Sequence, residues 1–173
     1  DVTIMRKAVP LMIALGLLLL CAPAAAESFV FDNIYGSMEV PDTYVVLTEK
    51  NLQNYADWLE AQGTSQEETA NDFIKRGVLL QAWSDDGTAR FELRAIQTDE
   101  TQRLFDINEQ STEVRGQYRT SHYPRNEYEG YEFSSSEWKN TENGRFLVLK
   151  YIRRDNGEIL YRGFMRRTVR NGY

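Results

Sequence analysis

The 173-residue chain contains one imidazole, His122, and one thiol, Cys21. His122 stands in Ser121-His122-Tyr123-Pro124. No nucleophile or second base accompanies it at a useful spacing, so it reads as an exposed residue at a helix or loop end. One Cys and one His also leave no material for a zinc site, an iron–sulfur cluster or a disulfide framework. The acidic groups fare no better as chemistry. Asp85-Asp86-Gly87 and Asp155-Asn156-Gly157-Glu158 lack the alternating oxygen spacing of a calcium loop and read as hairpin turns. Glu67-Glu68 belongs to the first turn of a helix, where the macrodipole favours carboxylates. A Gly-rich phosphate loop is missing from the sequence. The expectation is therefore a protein without catalytic residues, metal ligands or cofactor.

Charge and aromatic rings offer binding chemistry instead. Lys plus Arg number 20 against 26 Asp plus Glu, a net charge of −6, which argues against nucleic acid as a partner. The distribution is uneven. Residues 145–173 hold eight basic and two acidic side chains, whereas residues 27–144 hold ten and 23. Arg153, Arg154, Arg162, Arg166 and Arg170 fall in the basic end, and the spacing predicts that Arg162, Arg166 and Arg170 share a strand face with Leu160 and Phe164. Such a face would hold an anionic envelope polymer, a lipid headgroup or an acidic protein. It would equally serve as a solvated edge, or pair with the acidic helices of its own domain. Tyr118, Tyr123, Tyr128, Tyr131 and Trp138 form an aromatic-dense stretch. Rings of this kind stack on sugars or line peptide grooves, and they also suit a half-buried strand.

The elements that must position these groups begin after an address segment. Met5-Arg6-Lys7, the apolar run Ala8 to Cys21, and Ala24-Ala25-Ala26 make a signal-peptide pattern over residues 5–26. Pro10 interrupts the run, which is shorter than a spanning helix requires. Leu20 before Cys21 is a poor fit to a lipidation site, so Cys21 leaves with the signal. Residues 1–4 lie upstream of the initiating Met5. Residues 27–173 then form a single exported domain without cysteine, independent of the redox state of its compartment.

Within that domain Ser28 to Thr48 reads as extended chain broken at Gly36 and Pro41. Thr48 is placed as the N-cap of a helix over 49–62, with Leu52, Tyr55, Ala56 and Leu59 on one stripe and Gly63 ending it. Ser65-Gln66-Glu67-Glu68 is a capping box for a second helix whose buried stripe is Ala70, Phe73 and Ile74, ended by Gly77. Val78 to Ser84 and Ala89 to Gln97 form a hairpin about Asp86-Gly87. Leu104, Phe105 and Ile107 mark a docking point, and Ser111 caps a short helix carrying Val114 and Tyr118. From Tyr128 the pattern is strand again. Turns at Asn143-Gly144 and Asn156-Gly157 make an antiparallel meander whose middle strand is apolar on both faces, hence central and covered on both sides.

This order resembles the PsbP-like family, particularly its exported members in Gram-positive bacteria. The resemblance rests on Met38-Glu39-Val40-Pro41, Tyr44-Val45-Val46-Leu47-Thr48 and the helix Asn51 to Leu59. It continues through Leu79-Leu80-Gln81-Ala82 and Phe146-Leu147-Val148-Leu149-Lys150-Tyr151. It implies an α+β fold, an antiparallel sheet flanked by helices as an α/β/α sandwich. A Ran-binding nuclear import factor shares that fold with an unrelated role, so the fold alone does not carry function. The photosystem members aid manganese and calcium retention, but no ligand cluster here matches, and no functional residue transfers. Asn171-Gly172 near the end reads as another hairpin turn, which predicts a further strand and a longer natural protein.

The function expected is a non-catalytic binding or scaffolding domain at the bacterial cell envelope. Its candidate residues are Arg153, Arg154, Arg162, Arg166, Arg170, Tyr128, Tyr131 and Trp138. The alternative is a cell-wall glycan-binding protein or glycan-acting enzyme using the aromatic and acidic residues. Membrane contact is expected only through the signal segment or through an anchor C-terminal to the sequence.

Overall fold

The fold is α+β, with antiparallel sheets flanked by helices. The computed structural model describes residues 26–123 and 131–173. Residues 1–4, the signal segment 5–26 apart from Ala26, and Tyr128 lie outside the described residues. These divide into two compact units, one ending at Arg94 and the other Ala95–Tyr173.

In the first unit β1 (Ala26–Phe31) pairs with β2 (Gly36–Pro41), Phe29 opposite Met38. Period-2 alternation turns Phe29, Phe31 and Met38 onto a core of Val40, Val46, Leu80 and Ala82. A three-stranded sheet follows in the order β3 (Tyr44–Leu47), β4 (Val78–Ser84), β5 (Arg90–Arg94). Its middle strand buries Val78, Leu80 and Ala82 at alternate positions.

The helix expected over 49–62 opens later than Thr48 predicts. Asn51 Oδ1 accepts from the Thr48 N–H at 2.7 Å and Asn51 Nδ2 donates to the Val46 carbonyl at 2.9 Å. That side chain holds 48–51 in a turn. Helical structure starts with a 3₁₀ turn at Leu52–Tyr55 and continues as α1 (Ala56–Ala61). The stripe itself is observed, with Leu52 and Leu59 buried. At the far end Gly63 N–H donates to Glu60 and Thr64 N–H to Leu59, a Schellman closure with Gly63 at φ +78°.

Helix α2 (Gln66–Arg76) begins with the capping box, Glu68 N–H donating to Ser65 Oγ and Ser65 N–H to the Glu68 carboxylate. These donors hold the Glu68 carboxyl below its ordinary range. Phe73 is buried, but Ile74 is 66% exposed. Ile74 lies about 100° round the helix from Phe73, and the inward stripe is only as wide as Ala70 and Phe73.

The second unit opens with a helix the sequence reading passed over, α3 (Asp99–Leu104), capped by Thr98 and Thr101. Leu104 and Ile107 enter the core as expected, while Phe105 is 58% exposed with φ +56°. Helix α4 (Thr112–His122) is capped by Ser111 Oγ, which accepts from the Val114 N–H. A meander then runs β6 (Tyr131–Thr141), β7 (Gly144–Asp155), β8 (Glu158–Arg167), with β7 in the middle. Asn156 and Gly157 both adopt positive φ between the paired residues Asp155 and Glu158, the geometry of a two-residue type I′ turn. Leu147 and Leu149 join Leu104, Ile107, Tyr118 and Val169 in the core. Val148 points to the opposite face and is buried as well.

The last strand stops at Arg167, short of the Arg170 that the sequence pattern places on it. Val169 turns inward, its carbonyl accepting from Ile107 N–H at 3.0 Å, and Thr168 Oγ1 donates to the Arg145 carbonyl. Arg170 is therefore off the strand face predicted for it; its Nε lies 4.0 Å from Asp106 Oδ2. At Asn171-Gly172 the Gly172 N–H donates to the Phe105 carbonyl, and Thr101 Oγ1 donates to the Gly172 carbonyl.

Candidate binding surface

The register of the meander sorts the candidate residues onto two faces of one sheet. Tyr131, Arg153 and Tyr161 are cross-strand partners in one row, and Phe133, Tyr151 and Gly163 form the next. Rows two residues apart share a face. Arg162 and Arg166 point the other way, with Phe164 between them and Lys150 opposite Phe164.

The first face is packed at one end and aromatic at the other. Trp138 belongs to the packed end, lying against the core with its ring 6.0 Å from Tyr118. Its Nε1 is buried without a hydrogen-bond acceptor among the described residues. Tyr118 is buried, and burial raises its hydroxyl pKa. At the aromatic end the Tyr131 and Tyr161 hydroxyls are 3.0 Å apart, and the Arg153 guanidinium lies 4.9 Å from the Tyr131 ring centre. Tyr151 meets Tyr131 edge-on at 5.6 Å and Phe133 at 5.8 Å. Its ring lies over Gly163, where a Cβ would stand 2.5 Å from Tyr151 Cζ. Only glycine at 163 leaves the ring that space, an aromatic covering a glycine across a strand pair.

The second face is basic. Arg154 Nε pairs with Glu132 at 2.7 Å and Lys139 with Glu137 at 3.2 Å. Lys150, Arg162 and Arg166 are exposed and form no ion pair among the described residues. The Arg166 guanidinium lies 5.0 Å from the Phe164 ring, and Phe164 is 60% exposed. Arg162 and Arg166 thus flank an exposed phenyl ring along the strand, and Lys150 stands opposite it across the pair. Strand alternation made Arg162, Phe164 and Arg166 visible in sequence. Lys150 was missed because it reaches this face only through the pairing of β7 with β8.

The remaining chemical candidates resolve locally. His122 is half-buried rather than exposed. Its ring stacks on Tyr118 at 4.0 Å, Nδ1 lies 2.9 Å from the Tyr118 carbonyl, and Nε2 lies 3.4 Å from Glu100. Asp86 Oδ1 accepts from Ser84 Oγ, Thr88 N–H and Thr88 Oγ1, so the turn consumes that oxygen's bonding capacity. These donors, the Ser84 hydroxyl foremost, pull its pKa down to about 2. Among the described residues no group of three or more His, Cys, Asp or Glu is placed to hold a metal, and no helix is long and apolar enough to cross a membrane. The chain matches no protein-family model, no curated protein and no solved structure.

Proposed function

We propose that the chain is an exported, non-catalytic binding domain of the bacterial cell envelope, and that its basic sheet face engages an anionic envelope component. The observation that carries this reading is the set of exposed cations, Lys150, Arg162 and Arg166, which form no ion pair among the described residues and stand beside or opposite exposed Phe164. Burying an unpaired charge is costly, and an exposed one is free to meet an anion with only a modest desolvation loss. Export is supported by the signal-peptide pattern over 5–26. The PsbP-like relationship in this reading rests on the sequence resemblance through residues 38–59, 79–82 and 146–151.

Co-sedimentation with an anionic wall polymer and with a neutral glycan, at low and high salt, tests the reading. Binding to the anionic polymer that weakens with salt, and that falls in Arg162→Glu plus Arg166→Glu, is the expected result. Binding to neither would overturn it. A second reading, glycan binding through the aromatic end of the first face, is favoured by the Tyr131–Tyr161 hydroxyl pair beside Tyr151. It predicts salt-insensitive binding to the neutral glycan, lost in Tyr161→Ala. Trp138 is a poor probe for that reading because its ring packs against the core.

A further inference from the structure

Strand β8 combines a backbone edge paired with no described strand and an alternating side-chain pattern, and we infer that an acidic extended peptide segment of a partner protein adds to that edge as a fourth strand. The inference rests on the binding reading above and names its partner. β8 is ten residues long and pairs with β7 on one side only; no described strand lies on its other side. An edge of this length presents a row of N–H and C=O groups that proteins ordinarily blunt. Here charge is the device in use, with Arg162, Arg166 and Arg167 on the strand, and the others are weak. β8 contains no proline, and its one register irregularity, at Arg153/Arg154, is confined to the turn end. Apolar groups remain in water on both faces, with Leu160 57%, Phe164 60% and Ile159 42% exposed.

The charges select the occupant. One face of the edge reads Arg162, Phe164, Arg166, so a strand laid beside it meets cation, ring and cation at alternate positions. A partner with acidic residues at every second position satisfies both arginines, while its backbone satisfies the edge. A second copy of this chain is disfavoured. β8 carries Arg162, Arg166 and Arg167 against Glu158, so self-pairing would bring six basic and two acidic groups together across one strand pair. A polymer without amides would use the arginines and leave the backbone edge unpaired.

The probes are three ten-residue peptides: glutamate alternating with valine, lysine in place of glutamate, and the glutamate peptide with proline replacing each valine. Polyphosphate serves as an anionic chain that cannot form a strand. Binding is read by fluorescence anisotropy, and the amides of the intact protein by hydrogen exchange. The expected result is that the glutamate–valine peptide binds and slows exchange along β8. The lysine and proline peptides should fail, and Arg162→Glu plus Arg166→Glu should weaken binding by at least about tenfold. Equal binding of the proline peptide, or binding without protection of β8, would overturn strand addition. So would binding of polyphosphate alone, while leaving the anionic-surface reading intact. Failure of every anionic probe would overturn both. Slowed β8 exchange that grows with protein concentration, without any peptide, would make a second copy the occupant and overturn the inference.

Discussion

In the first unit Arg76 donates to both oxygens of Glu92 at 3.0 Å and to Asp72 on its own helix, while Glu92 also receives Arg94 and the Gln81 amide. Gln81 in turn accepts from the Trp83 indole, and Arg90 lies 5.1 Å from the Trp83 ring. On the outer face of the second unit's meander, Arg162, Arg166 and Lys150 meet no carboxylate among the described residues. The strands of both regions are antiparallel and built on the same alternation. They differ in where the chain puts its acids: the hairpin of the first unit has Glu92 in the strand beside the helix end that needs it, and β8 has only Glu158, at its start. Cations neutralised within a fold stabilise it modestly, whereas cations left on a rigid sheet are available to something else.

Substitutions in the two regions should differ in effect only where the arginines are involved. The largest effects belong to the cores and should not distinguish the regions: Phe73→Ala and Leu147→Ala should each cost about 2–5 kcal/mol in denaturant titrations, since both residues are essentially sealed from water. Gly163→Ala comes next. Its methyl collides with the Tyr151 ring, and a loss of about 1–3 kcal/mol with altered aromatic ring shifts is expected. A stability unchanged by this substitution would show that the ring does not lie over the glycine.

The arginines give the comparison itself. Arg76→Ala leaves Glu92 without its bidentate partner and should cost about 1 kcal/mol, the value being held down by the exposure of Asp72. Arg162→Ala should change stability by less than about 0.5 kcal/mol. Equal losses at the two sites would remove the distinction. The smallest effect is a titration. Asp86 has its folded pKa depressed from 3.8 to about 2, so the hairpin gains stability from its ionised form above pH 4 and loses it as pH falls toward 2. The Thr88 amide resonance should report a midpoint near 2, and Asp86→Asn should abolish that step.

Much of the architecture was legible because local signals agreed with burial. Ser65 and Glu68, Gly77, Ser111 and Asn156-Gly157 all lie where their caps and turns require them. What escaped was governed by contacts that spacing does not encode. Asn51 delays the first helix by folding back on Val46. Thr98 and Thr101 cap α3 through hydroxyls, without the glutamate that marks the other box. Ile74 has an apolar side chain in helical register but lies outside the stripe of Ala70 and Phe73 and is left mostly exposed. The basic face was half visible: alternation gave Arg162 and Arg166, whereas pairing with β7 was needed to add Lys150, and the backbone bonds of Val169 removed Arg170.

The clasp made by Thr101 with Gly172 also has a kinetic meaning. That hydrogen bond joins residues 71 positions apart, whereas the β7–β8 turn closes across two. Loop-closure entropy makes the longer connection dearer by about 3 kcal/mol. The meander should therefore zip before α3 and the final residues clasp one another, and pulse-labelled exchange should find β7 amides protected ahead of Ile107. During that interval the sheet stands paired while the core side of Leu147 and Leu149 still awaits its helices, so the most hazardous moment for this protein is set by the order in which its loops close.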